Sequence, residues 1–182
     1  MKKILVTLPL IFALPAFAGT LKLTSEDIGQ GKLMTSKQES SGAGCNGSNH
    51  SPHLKWSSVP EGTKSFAVTA YDPDAPTGSG WWHWQLVNIP ADITELPANA
   101  GSTTENLAPE GSMHIENDKG EKGYGGACPP KGQNAHRYQF TLYALATKGL
   151  QLPPNASGAM AGYMIKAYTI ESVTIEATYK RD

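Results

Sequence analysis

Residues 64–89 leave this chain little choice of fold. From Lys64 to Tyr71 the pattern alternates, with Phe66, Val68 and Ala70 on one side and Ala67, Thr69 and Tyr71 on the other. That is the period of a β-strand. The next stretch, Asp72-Pro73-Asp74-Ala75-Pro76-Thr77-Gly78-Ser79-Gly80, is a stiff connection. Pro73 fixes its own φ and discourages helix before it, and Gly-Ser-Gly suits a reversal of direction. A second strand follows over residues 82–89, placing Trp82, Trp84 and Leu86 on one face and His83, Gln85 and Val87 on the other. If the two strands pair as neighbours, His83 approaches the carboxylates of Asp72 and Asp74. Tryptophans at this spacing read first as core. Trp82 and Trp84 are assigned there, whereas Trp81, at the turn, is placed to meet a ligand.

The rest of the chain has the same character. It holds 19 Gly and 13 Pro and shows no long amphipathic helical pattern, which favours short strands and turns, hence a β-sandwich or barrel. Further strands are expected at residues 21–24, from Leu54 onward, at 136–145 and at 173–179. One short helix is expected at 157–167, with Met160, Tyr163, Met164 and Ala167 at helical spacing. Residues 91–118, interrupted by Pro97, Gly101, Pro109 and Gly111, are expected to cover one end of the sandwich. Residues 36–51 form a long, polar, glycine-rich loop, and loops of this length are usually functional or fastened to something. His50 and His53 lie three apart, but Pro52 breaks any helix that would align them and no third ligand of matching spacing is near. There is no internal repeat or low-complexity tract.

Met1-Lys2-Lys3, an apolar run to Ala13 and Ala16-Phe17-Ala18 carry the basic, apolar and small-residue parts of a secretory leader. The run is too short and too broken by proline to span a membrane. Residues 1–18 are therefore expected to be removed, leaving residues 19–182 as one domain in the periplasm or outside the cell. Loss of Lys2 and Lys3 leaves 13 basic against 16 acidic residues, a formal charge of −3. No basic stripe is present, which argues against nucleic acid as a partner. The two cysteines, Cys45 and Cys128, are expected to form a disulfide in an exported chain. The closed loop is long, so the bridge is worth on the order of 4 kcal/mol less any strain. The alternative, a nucleophilic Cys128 with His136 as base, needs a free thiol. Asn-x-Ser sequons at Asn46, Asn49 and Asn155 matter only in a glycosylating host.

In combination, Asp72-Pro73-Asp74-Ala75-Pro76, Trp82-His83-Trp84 and Pro129-Pro130-Lys131-Gly132 followed by His136-Arg137-Tyr138 closely resemble the phosphatidylethanolamine-binding protein family, also called Raf kinase inhibitor-like proteins. Asn49-x-Ser51-Pro52-x-Leu54-x-Trp56 resembles its bacterial branch. The resemblance runs from about Leu21 to the last residues. It implies a mainly β Greek-key sandwich with one or two short helices and a small anion pocket at one end. Carried over by position, the pocket would be lined by Asp72, Asp74, Pro76, Trp81, His83, Gly126, Cys128, Pro129, His136 and Tyr138. Cys128 stands where animal relatives typically have glycine, and their capping helix has no evident counterpart after Tyr179.

An unpaired carboxylate would repel phosphate, but one hydrogen-bonded to imidazole favours the imidazolium and sets its tautomer. On that expectation Asp72 and Asp74 charge His83 and His136, and backbone N–H groups of the Gly126–Pro129 loop cradle the remaining ligand oxygens. The implied function is non-enzymatic binding of a phospholipid head group or phosphomonoester, without a cofactor. A protein partner and a homodimer accompany the resemblance, although an exported protein meets no cytosolic kinase. Two alternatives stand beside it. One is a hydrolase whose Asp72, Asp74, His83 and His136 hold a metal ion; the other is an inhibitor of another protein, its pocket vestigial.

Overall fold

Alternation in residues 65–72 places apolar side chains on both faces of a strand, and such a strand must be covered on both sides. The computed structural model, which describes residues 20–182, covers it in that way. The elements run β1 (Lys22–Thr24), β2 (Leu54–Ser57), β3 (Ser65–Asp72), β4 (Trp81–Pro90), β5 (Glu95–Leu96), β6 (Met113–His114), β7 (His136–Leu145), α1 (Gly158–Tyr168) and β8 (Thr169–Tyr179). They form a three-stranded sheet, β1-β2-β5, and a five-stranded sheet, β6-β4-β3-β7-β8. Every pairing between these strands is antiparallel. The two-residue strands β5 and β6 lie in the stretch read as mixed; they are too short for a periodic signal. The expected leader, residues 1–18, lies outside the described residues.

The main core fills the space between the sheets. Leu23, Leu54 and Trp56 of the small sheet pack against Phe66, Val68, Trp84, Leu86, Phe140 and Leu142 of the large one. A second core lies on the opposite face, where Ala67, Val87 and Leu145 meet Ala161 and Ile165 of α1. Burying a side chain of this size is worth about 1.5–3 kcal/mol.

Ser157 caps α1, its hydroxyl accepting from the Met160 N–H at 3.2 Å. The helix buries Gly158, Ala161 and Ile165. Met160 and Tyr163, which carried its helical spacing, lie on the exposed face. The small residues are inside because α1 lies close to Trp82: a Cβ on Gly158 would sit 2.7 Å from the indole.

Strand β4 departs from simple alternation. Ala70 pairs with Trp84 and Tyr71 with Trp82, so His83 is the extra residue of a β-bulge. Trp82 is consequently not core with Trp84, as alternation assigned it. It turns to the α1 side and packs on Tyr71, ring centroids 4.5 Å apart. His83 moves to the side of Trp84, where its ring meets Tyr138 edge-on at 5.2 Å.

Candidate functional site

Strand β7 begins beside the end of β3, where the β3–β4 connection starts, and its pleat separates what that connection carries. His136 and Tyr138 point inward, while Arg137 between them points outward. Asp72, fully inside, accepts from His136 Nδ1 through Oδ2 at 2.8 Å and from the Asp74 N–H through Oδ1 at 2.8 Å. The Gln133 side-chain amide lies 3.1 Å from His136 Nε2. Asp74 turns the other way. It accepts from Arg137 Nε at 2.9 Å, Nη2 at 2.7 Å and the backbone N–H at 2.8 Å. The guanidinium holds the Asp74 carboxyl down at about 2, and Asp74 in turn raises Arg137 further above its ordinary range.

Beside the Asp72–His136 pair lies a cavity of about 670 Å³. The β3–β4 hairpin contributes Asp72, Pro76, Trp81 and His83 to its wall. The 123–132 loop contributes Gly126, Cys128 and Pro129, and β7 contributes His136 and Tyr138. Asp74 is the expected site residue that is not in this wall; it borders a separate hollow with Gln133 and Arg137. The reason is the pleat of β7, which presents Arg137 to the outer side.

Cys45 and Cys128 are joined in a disulfide, so a thiolate nucleophile at Cys128 is not available. The bridge fastens the 36–51 loop beside the cavity, and Ala43 and Pro129 line the wall on either side of it. Asn49 adds a second clamp: its Oδ1 accepts from the Gly126 N–H at 2.7 Å and its Nδ2 donates to the Tyr124 carbonyl at 3.0 Å. Its sequon is thereby committed to the fold. Gly126 has no alternative at this contact, since a Cβ would overlap the backbone of residues 38–40.

Two electrostatic expectations change. Most of the loop amides are spent within the protein: Gly125 N–H donates to the His83 carbonyl, Gly126 N–H to Asn49 and Ala127 N–H to the Gln38 carbonyl, which leaves the Cys128 N–H beside the cavity. His83 touches no carboxylate. Its Nδ1–H donates to the Gly125 carbonyl at 2.7 Å, and burial pushes its basicity below the ordinary histidine value despite the nearby charge of Asp72. Among the described residues no three His, Cys, Asp or Glu side chains are grouped to hold a metal ion. The four ligands of the hydrolase alternative are divided by the sheet. His50 and His53 also part, His53 accepting the Glu26 N–H at Nδ1 and lying 3.0 Å from Glu95 at Nε2.

Residues 24–180 match the profile of the phosphatidylethanolamine-binding proteins. The chain belongs to that family. It is 50% identical over 181 residues to UPF0098 protein YbcL of Escherichia coli K12, covering 99% of each chain. It is 46% identical over 159 residues to YbhB of the same organism, covering 87% of this chain and 99% of YbhB. A putative lipoprotein, LppC of Mycobacterium tuberculosis H37Rv, is 40% identical over 121 residues, covering 66% of this chain and 55% of LppC. The crystal structure of E. coli YbcL, described as a new member of the mammalian family, superposes with a TM-score of 0.88 at 51% identity, covering 90% of this chain and all of that one.

The residues carried over by the resemblance therefore line one cavity, Asp74 excepted. Sequence reasoning missed Lys119 and Glu121, which form an ion pair of 2.9 Å at the cavity mouth. They sit on a turn organised by Asn117, whose Oδ1 accepts from both of their N–H groups. Nothing in that run of charged residues marks it apart from any solvated loop. Arg137 was inside a quoted motif, yet its partner becomes apparent only through the β7 pleat.

Proposed function

We propose that this protein is a binding module whose cavity takes a small oxyanion, either a phosphate-bearing head group or a phosphomonoester, and that it works outside the cytoplasm. The observation that carries this reading is the buried Asp72–His136 pair within the wall of a cavity otherwise lined largely by apolar side chains such as Pro76, Trp81 and Pro129. A few converging polar groups in an apolar concavity are the usual form of a small-ligand site. Both carboxylate oxygens of Asp72 already accept hydrogen bonds from the protein, so the acid serves to orient the imidazole. The family name points to phosphorylated head groups.

Export is supported by the leader pattern of residues 1–18, by the disulfide, which persists in oxidising compartments, and by the lipoprotein name of the LppC relative. Calorimetric titration with phosphoethanolamine tests the site. Binding in the wild type and its loss, by about tenfold or more, in a folded His136→Ala variant are expected. Full affinity in that variant removes the cavity as the site. Osmotic-shock fractionation, with an intact mass starting at Gly19, tests the location.

A further inference from the structure

Most polar atoms around the cavity floor are already engaged. Both oxygens of Asp72, both ring nitrogens of His136 and the N–H groups of Gly125 and Gly126 have protein partners. Two atoms do not. The Tyr138 hydroxyl is buried without a hydrogen-bond partner among the described residues, although the Asp72 carboxylate lies near it. His83 spends Nδ1–H on the Gly125 carbonyl. Its Nε2 has no partner among the described residues, and the ring lines the cavity. An imidazole that donates through Nδ1 and stays neutral presents a lone pair at Nε2. A fully ionised oxyanion, which can only accept, has nothing to offer that lone pair.

We infer that the floor of the cavity takes its oxyacid together with one proton, held between a ligand oxygen and His83 Nε2, while the Tyr138 hydroxyl donates to a neighbouring ligand oxygen. The inference rests on the phosphate reading above and narrows it to phosphomonoesters. A monoester can carry a P–OH near neutrality because its second ionisation lies at about pH 6; a diester cannot. The groups that face His83 are consistent with one added proton. Asp72 of β3, and His136 and Tyr138 of β7, lie on one side, and Tyr124 of the 123–132 loop packs near by. Asp118, Lys119 and Glu121 lie on the turn toward the mouth. Burial keeps the free His83 neutral, so the proton arrives with the ligand or from solvent and is counted as uptake on binding.

Isothermal titration with methyl phosphate between pH 7 and 8.5, in buffers of low and high ionisation enthalpy, tests the inference. The expected results are uptake of about one proton and a Kd that rises about tenfold per pH unit. Dimethyl phosphate should bind about tenfold or more weakly at pH 7, since it leaves the Nε2 lone pair unmet. In His83→Gln the amide donates or accepts without taking a proton, so the pH slope should flatten. In Tyr138→Phe affinity should fall while Tm holds or rises, because the hydroxyl it removes has no hydrogen-bond partner among the described residues. A Kd and enthalpy indifferent to pH and buffer overturn the proton while leaving the phosphate reading intact. Absence of methyl phosphate binding at every pH overturns the phosphate reading and this inference with it.

Discussion

Asp72 and Asp74 are two residues apart and have opposite environments. Asp72 is buried against His136 beside the cavity, whereas Asp74 lies partly exposed on the far side of the sheet in a bidentate pair with Arg137. Each is matched to one of two consecutive residues of β7, and consecutive strand residues face opposite ways. The contrast shows how one loop can serve two purposes: its inner carboxylate orients a site, and its outer carboxylate ties the loop to the sheet.

Replacement of each acid in turn should separate the two roles. Asp72→Ala leaves His136 Nδ1 and the Asp74 N–H without partners inside the protein, and should cost about 3–5 kcal/mol in urea unfolding. Cavity-side anchoring is tested next by reducing Cys45–Cys128. The expected loss is about 2–4 kcal/mol, together with weaker methyl phosphate binding, while the Asp74–Arg137 pair persists. Asp74→Ala removes an exposed pair and should cost about 1 kcal/mol or less, an effect that fades at high salt. A loss for Asp74→Ala equal to that for Asp72→Ala would erase the distinction.

The same contrast sets the acid sensitivity. His83 has a depressed folded-state basicity, so between its folded value and the ordinary 6.5 the unfolded chain binds a proton that the folded chain does not. Its contribution is full above 6.5 and is lost as pH falls below it. Half-buried His114, whose Nδ1 accepts from Trp84 Nε1, acts in the same direction. Asp74 behaves as a depressed carboxyl, its contribution present above 3.8 and lost as pH falls through about 2. Thermal melts should therefore show one decline below pH 6.5 and a smaller one between pH 4 and 2. His83→Gln should reduce the first, and Asp74→Ala should remove the second.

Much of the fold could be read along the chain. Strand β7 was expected over the same ten residues, and β3 and α1 were each placed to within one residue. Strand β8 runs four residues earlier than its pattern indicated, because α1 passes directly into it at Thr169. The site was legible in outline, through the joint motifs and the cysteine pair. Its interior was less so. His83 was assigned to the face opposite Trp84, and the Gly126 and Ala127 N–H groups were assigned to a ligand.

What the sequence by itself determined is therefore whatever a single segment carries: strand periodicity, the stiff Asp-Pro-Asp turn, the capped helix and the family motifs. The tertiary structure alone decided which way His83 faces, which acid enters the cavity and which N–H groups are already used. A bulge is a mismatch between the registers of two strands, and hydrogen bonds such as Asn49 to Gly126 or Asp72 to His136 span more than sixty residues. Neither leaves a mark on local periodicity, because both depend on a partner strand or loop that the segment does not contain.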